Sequence, residues 1–412
     1  MARNKAGRLR RRAYAYLGGL ICVSLLTGCG DDKALETVLP VLAQPEELYP
    51  QEDREEAGTQ KESPEEPVGE KASETGGDFG VEAPAQPEEQ SEEQSDTVTI
   101  TISAAGDCSL GNYLEQDYAW SFCQTYEQQQ DDGYFLENVS EIFSQDDLTI
   151  VNLEGVLTLS EEINAGRTYN IKGDPAYTGI LTSGSVEAVS MGNNHRLDYG
   201  EAGTADTVAA LQEAGIVYAY DGNVGMFEVK DIRIGIVSVN ESSQGVYVEN
   251  FLEKGIAGLR EEGADLILAC CHWGVEREYY PEDYQRTLGQ KCIDWGADLV
   301  IGHHPHVLQG IEEYQGKYIL YSLGNFCFGA NRNPSDKDTM IFQQTFTFRE
   351  GEKQQEASAR VIPCFVSSLK ERNDYKPTPA QGEEAARIIS RLNELGKDFN
   401  VEVDAEGFLR KR

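Results

Sequence analysis

"LVIGHHPHVLQG", residues 299–310, decides how the rest of the chain is read: a short apolar run ends in three histidines within four positions, in a protein of 412 residues with five histidines in all. A buried β-strand that releases polar side chains at its carboxyl end has this form. The other two histidines obey the same rule, since His195 closes "VEAVSMGNNH" and His272 closes "ADLILACCH".

Working outward, "TVTITISAAGD", "LTIVNLEGV", "IRIGIVSVN" and "KYILYSLGNF" are further strand-like runs. Between the runs lie amphipathic stretches such as "TADTVAALQEAG" and "YYPEDYQRTLGQKCIDWGA", with apolar residues three and four apart and glycine near the end. The alternation predicts an α/β fold. After residue 333, "TMIFQQTFTF" and "SARVIPCFV" read as a hairpin and "PAQGEEAARIISRLNELGKDF" as a closing helix. That segment, 334–412, is expected to complete the same domain as 97–333.

Polar residues fall just after the apolar runs: Asp107, Glu154, Asn194 with His195, His272, and the cluster His303, His304 and His306. Ligand sites in open α/β sheets gather at such carboxyl ends. Imidazole nitrogens with carboxylate and amide oxygens make a mixed donor set for one or two divalent metals such as Mn, Zn or Fe. Period-two alternation sends His304 and His306 to one side and His303 to the other. A metal there would activate water and polarise a phosphoryl or carbonyl oxygen, with a nearby histidine protonating the leaving group. The chain has neither a G-x-S-x-G elbow nor a phosphate loop. "GVEREYYPEDY" adds the carboxylates Glu276 and Glu278.

The N-terminus carries a basic start, an apolar run and "LLTGC", a pattern resembling a bacterial lipoprotein signal peptide, residues 1–28, with Cys29 as the lipidation site. Residues 29–96 are acidic and, beyond Tyr49, poor in large apolar side chains, so they are expected to be a disordered tether with a reach of roughly 45 Å. The folded part would then stand outside the cytoplasm, anchored to the membrane. A net charge of −36 argues against nucleic acid as a partner. Seven cysteines follow the tether, Cys108, Cys123, Cys270, Cys271, Cys292, Cys327 and Cys364, without metal-type spacing. They read mostly as buried thiols, one disulfide among them being open, with Cys270 and Cys271 on opposite faces of a strand.

The ordered motifs "GDCSLG", "NLEGVLT", "GNNHRLDYG", "HWGVE", "GHHPHVLQG" and "YSLGNF", spanning roughly residues 98–330, resemble the CapA family. These are capsule-synthesis proteins of poly-γ-glutamate-producing bacteria, in the calcineurin-like metallophosphoesterase superfamily. The resemblance implies a four-layer α-β-β-α sandwich with Asp107, Glu154, Asn194, His272, His304 and His306 as metal ligands. It implies His195 as the acid facing substrate, oriented by Asp198. Glu276, His303 and Asn325 are further candidate substrate contacts. The chain departs from the superfamily pattern at Asp107-Cys108-Ser109, where a histidine would stand two residues after the aspartate; Cys108 reads there as a small buried residue, a thiolate donor being the lesser alternative. It also has Glu154 in place of the second-motif aspartate, Arg196 in place of an acid, and Arg277 in place of the family's usual tyrosine.

The function this implies is synthesis, anchoring or export of an anionic surface polymer, poly-γ-glutamate, by metal-dependent hydrolase or transferase chemistry. Membrane-bound capsule-synthesis proteins are the implied partners. The alternative is a non-catalytic, metal-dependent polymer-binding or export component.

Overall fold

The structure, a computed structural model, describes residues 12–15, 97–244 and 247–412. The expectations for Cys29 and the tether lie outside these residues. Residues 12–15, inside the expected signal peptide, pair antiparallel with 225–228 at a sheet edge.

Two sheets carry the fold. One runs in the order Thr378–Pro379, Glu352–Phe365, Asp338–Arg349, Thr97–Ser109, Leu148–Leu153, Ala188–Ser190, Val217–Ala219, with Asn325–Phe328 also paired to Thr97–Ser109. The other runs Arg12–Ala15, Gly225–Val229, Ile232–Asn240, Leu266–His272, Leu299–His303, Lys317–Leu320, Ile311–Tyr314. Ile102 and Ile150 of the first sheet share a buried core with Ile236, Leu268 and Ile301 of the second, so the sheets pack face to face. On the outer face of the first, Val151 and Val189 meet Phe143 and Leu211 from helices Glu137–Ser144 and Gly200–Ala214. On the outer face of the second, Ile267 and Val300 meet Leu252, Ile256 and Leu288 from helices Tyr247–Glu261 and Asp283–Asp294. The layers are α-β-β-α, as expected.

The parallel strands are buried on both faces, which is why they read as continuous apolar runs. Leu268 and Cys270 enter the inter-sheet core while Ala269 and Cys271 face the helices, so the adjacent cysteines do point apart. All seven cysteines beyond the tether are free thiols. Cys108 lies in the helix-side core and burial pushes its thiol up to about 12, which removes it as a thiolate ligand.

"KYILYSLGNF" is not one strand. Lys317–Leu320 pairs with Leu299–Ile301, then the chain crosses to the other sheet, where Asn325–Phe328 pairs with the Asp107 end of the first strand. The crossing needs glycine at two places: Gly324 has φ +73°, and a Cβ on Gly106 would lie 2.0 Å from the Gly324 carbonyl oxygen. The close approach lets Asp107 N–H donate to that oxygen at 2.9 Å.

The hairpin after residue 333 is present as Asp338–Arg349 and Glu352–Phe365, turned by Glu350 at φ +52° and Gly351 at φ +80°. Helix Gly382–Leu395 follows, placing Ile388 and Leu392 in the inter-sheet core. No helix among the described residues is long and apolar enough to cross a membrane.

Candidate metal centre

Register brings the polar residues to one level. In the second sheet Asn240 pairs with His272 and His272 with His303. In the first, Asn325 pairs with Asp107, Asp107 with Asn152, and Asn152 with Ser190. Two rows of polar side chains, one per sheet, thus face each other at the carboxyl edge.

Glu154 sits where they meet. It is fully buried, and its Oε1 has no hydrogen-bond partner among the described residues. Three imidazole Nε2 atoms surround that oxygen: His306 at 3.6 Å, His195 at 3.8 Å and His272 at 4.0 Å. Donors that share one metal at bond lengths of about 2.0–2.2 Å stand roughly 3–3.5 Å apart. The observed spacing is slightly wider.

Asp107 is the second buried carboxylate. Its Oδ1 lies 3.2 Å from His303 Nδ1 and its Oδ2 3.1 Å from His306 Nδ1. Asn194 Oδ1 is 2.9 Å from His272 Nε2, and Asn325 Oδ1 is 2.9 Å from His306 Nδ1. The His304 ring packs between those of His272 and His306, at centroid distances of 4.7 and 5.9 Å.

Period-two alternation does not extend through the histidine cluster, because the strand ends at His303. His304 has φ +96° and His306 φ +57°, so the turn no longer follows period two and all three rings enter the site. His303 faces Asp107 and is 1% exposed, which places it beneath the site and out of a substrate's reach.

Asn152, unremarked in the sequence, is the hub of the polar rows. Its Nδ2 donates to Asp107 Oδ1 at 2.9 Å and lies 3.4 Å from Glu154 Oε2, while its Oδ1 accepts from Ser190 Oγ and Asn193 Nδ2. A polar residue inside the apolar run "LTIVNLEGV" was the available signal. Asp198 is fully buried; its Oδ2 lies 2.7 Å from His195 Nδ1 and accepts from Ile171 N–H at 2.7 Å. His195 is thereby held with Nε2 toward Glu154.

Burial raises Glu154 well above the ordinary carboxylate range; His306 opposes this, and Asp107, Glu276 and Asp198 reinforce it. Burial acts on Asp107 too, but His303 and His306 hold it well below that range. Burial and His304 lower His272, and burial and His306 lower His304 to about 4, so both are neutral donors at pH 7. Burial lowers His306 as well, yet Glu154 and Asp107 lift it to about 10. Its proton supplies positive charge where buried carboxylates need it, a task a divalent cation would take over.

Two donor groups satisfy the spacing of a metal site: Asp107, Glu154 and His272, and Glu276, His304 and His306, with ligand atoms within 4.8 Å of one another in each. The mixed oxygen and nitrogen donors and the orphaned Glu154 oxygen fit a divalent metal. A cleft of about 490 Å³ opens over the site, lined by Glu154, His195, His306 and Asn325 at its floor and by Tyr113, Tyr169, Glu276, Arg277 and Arg332 on its walls.

The family model described as "Bacterial capsule synthesis protein PGA_cap" matches residues 101–330. The chain is 26% identical over 269 residues to the capsule biosynthesis protein CapA of Bacillus anthracis, covering 59% of this chain and 63% of that protein. It is 30% identical over 249 residues to the PGA biosynthesis protein CapA of Bacillus subtilis, covering 56% and 63%. It thus spans less than two thirds of the length of these relatives. Among solved structures, a hypothetical protein from Thermus thermophilus superposes with a TM-score of 0.38 at 17% identity, covering 64% of this chain and 99% of that one. With more than half of its residues matched by one family model, this chain belongs to the bacterial capsule synthesis protein PGA_cap family.

Proposed function

We propose that the protein is a lipid-anchored, extracytoplasmic capsule-synthesis component that binds a divalent metal and acts on an anionic surface polymer of the poly-γ-glutamate type. The observation that carries this reading is the buried Glu154 oxygen with three imidazole Nε2 atoms 3.6–4.0 Å away, opening to the cleft through His195 and His306. Asp107, Glu154, Asn194, His272, His304 and His306 would between them hold one or two divalent ions, which when bound supply Lewis-acid polarisation of a substrate oxygen.

The chain's own residues do the rest. Asp198 accepts from His195 Nδ1–H and fixes the tautomer, so Nε2 is the atom that takes up a proton and gives it to the leaving group. Arg332 is tied to Asp117 and the Ala119 carbonyl, whereas no described carboxylate lies within ion-pair distance of Arg277. Arg277 is therefore the cation available to an anionic substrate on the cleft wall. The chemistry is hydrolysis or transfer at an amide bond of the polymer, or at a phosphoester of a group joined to it, with water or a polymer end as nucleophile and the leaving group taking its proton from His195.

The test uses the full-length chain purified in detergent. Expected are bound metal, its loss in His272→Ala, and metal-dependent cleavage or transfer of the polymer that His195→Ala abolishes. Metal and polymer binding without any turnover would favour a non-catalytic binding or export role; absence of bound metal would refute both. Anchoring is tested separately by membrane fractionation and mass analysis of Cys29, where a soluble, unacylated Cys29 would refute it.

A further inference from the structure

We infer that the cleft is barred at one end by Tyr279 and Arg391, so that it takes an anionic polymer by a chain end and not along its length; this rests on the polymer-directed reading above. Two facing walls meet at the bar. Glu276 and Arg277 line one wall and residues 333–336 the other. Three residues beyond Glu276, the Tyr279 hydroxyl donates to Asp336 Oδ2 at 3.2 Å. Asp336 lines the cleft and Tyr279 does not, so the contact stands at its margin.

Helix Gly382–Leu395 backs the bar from outside. Arg391 Nη1 donates to Asp336 Oδ1 at 3.0 Å and its Nη2 to Asp336 Oδ2, a bidentate pair, while the guanidinium lies 5.1 Å from the centre of the Tyr279 ring. Nη1 also donates to Asp338 Oδ2, and Arg387 grips both Asp338 oxygens at 2.7 Å. Burial alone would lift the Asp338 carboxyl, yet the two arginines hold it below the ordinary range. The Arg391 and Asp336 side chains are 25% and 11% exposed, which shields the pair from screening. The stem of Tyr279 is fixed too, since Arg277 N–H donates to the Pro305 carbonyl and Gln309 Nε2 to the Glu278 carbonyl, each at 2.8 Å.

The opposite margin has no such bar. Tyr113 and Tyr169 pack edge to face there at 5.2 Å, and no described hydrogen bond or ion pair joins either of them to the Glu276 loop. A chain laid through the cleft would have to leave between Tyr279 and Asp336, where the two walls are bonded together. A chain end needs no exit, so the bar selects termini by excluding the interior of the polymer. The matched family region stops at residue 330, so Asp336, Arg387 and Arg391 belong to the segment that follows it.

Short poly-γ-glutamate oligomers, uncapped or carrying a bulky group at both ends, test this by calorimetry on the full-length chain with Mn²⁺ present. Wild type is expected to bind the doubly capped oligomer about tenfold or more weakly than the uncapped one. Tyr279→Ala, a change at a residue 38% exposed, is expected to bring the two within about threefold while leaving uncapped binding unchanged, and Arg391→Ala to do the same. Equal binding of both oligomers by wild type would overturn the inference and leave the polymer-directed reading standing. So would variants that weaken both oligomers alike, the mark of a merely structural role, or that keep the full discrimination. Binding of neither oligomer by wild type overturns that reading and this inference together.

Discussion

Asn152→Asp exchanges the hub amide for a carboxylate of the same shape. The Asn152 nitrogen is 2.9 Å from Asp107 Oδ1 and 3.4 Å from Glu154 Oε2, so an ionised aspartate would bring two charges into contact. At an effective dielectric of about 20, unit charges at that separation repel by roughly 6 kcal/mol. Protonation is cheaper: holding a carboxyl of ordinary pKa about 3.9 neutral at pH 7 costs about 4 kcal/mol, and its O–H then donates to Asp107 as the amide did. The sign follows from the raised folded pKa. The native variant binds a proton that the unfolded chain releases, so stability falls as pH rises above about 4 and the penalty vanishes below it. A divalent cation among Asp107, Glu154 and His272 would neutralise the pair and replace the proton. Thermal melts of the full-length chain should therefore show the variant lower by about 10 °C near pH 7 in chelator, with most of the loss recovered at pH 5 or on adding Mn²⁺. Equal melting of variant and wild type in chelator at pH 7.5, or a metal-induced rise no larger in the variant, would refute the hub and the cation site together.

Asp146 is buried, and burial raises its carboxyl to about 7, although Ser103 and Thr149 oppose this. The native state holds that proton, so wild type loses stability between pH 4 and 7 by up to about 1 kcal/mol per pH unit; Asp146→Asn should gain on wild type at pH 8 relative to pH 5 in urea titrations, and a pH-independent difference would contradict this. Alkylation of the native protein with iodoacetamide, mapped by peptide mass, should modify Cys123 first, since Cys108, Cys270, Cys271, Cys292, Cys327 and Cys364 are buried. Early modification of Cys270 or Cys271 would contradict the packing. Arg277→Ala should weaken binding of poly-γ-glutamate oligomers about three- to tenfold in polarisation assays while leaving an amidated, neutral oligomer unaffected, and an equal effect on both would rule out charge recognition.

The layer order was legible because parallel strands buried on both faces leave uninterrupted apolar runs, and because each run ends in a residue that carries chemistry. Val217–Ala219 and Ile311–Tyr314 were not legible: three and four residues register no period, and no histidine follows them as His195 follows the equally short Ala188–Ser190. "KYILYSLGNF" misled for a different reason, since Tyr321–Gly324 crosses between sheets on tertiary contacts made by Gly106 and Gly324. His303 was placed on the wrong side because alternation was extended past the point where the strand stops. Asn152 carries no such signal, because it lies inside a strand and not after one, and its role depends on register with Asp107 and Ser190.

The charge distribution links these findings to the proposed role. A chain of net charge −36 repels a polyanion at long range, so attraction has to be generated locally. The cleft floor does not provide it unaided: Asp107 and Glu154 are buried carboxylates, and of the surrounding imidazoles His272 and His304 are held neutral, leaving His306 as the cation between them. One or two divalent ions would reverse the sign of that floor while Arg277 supplies fixed positive charge on the wall. Specificity for an anionic substrate would then reside in the metal-loaded state alone, and the acidic remainder of the surface would keep the polymer from adhering anywhere else.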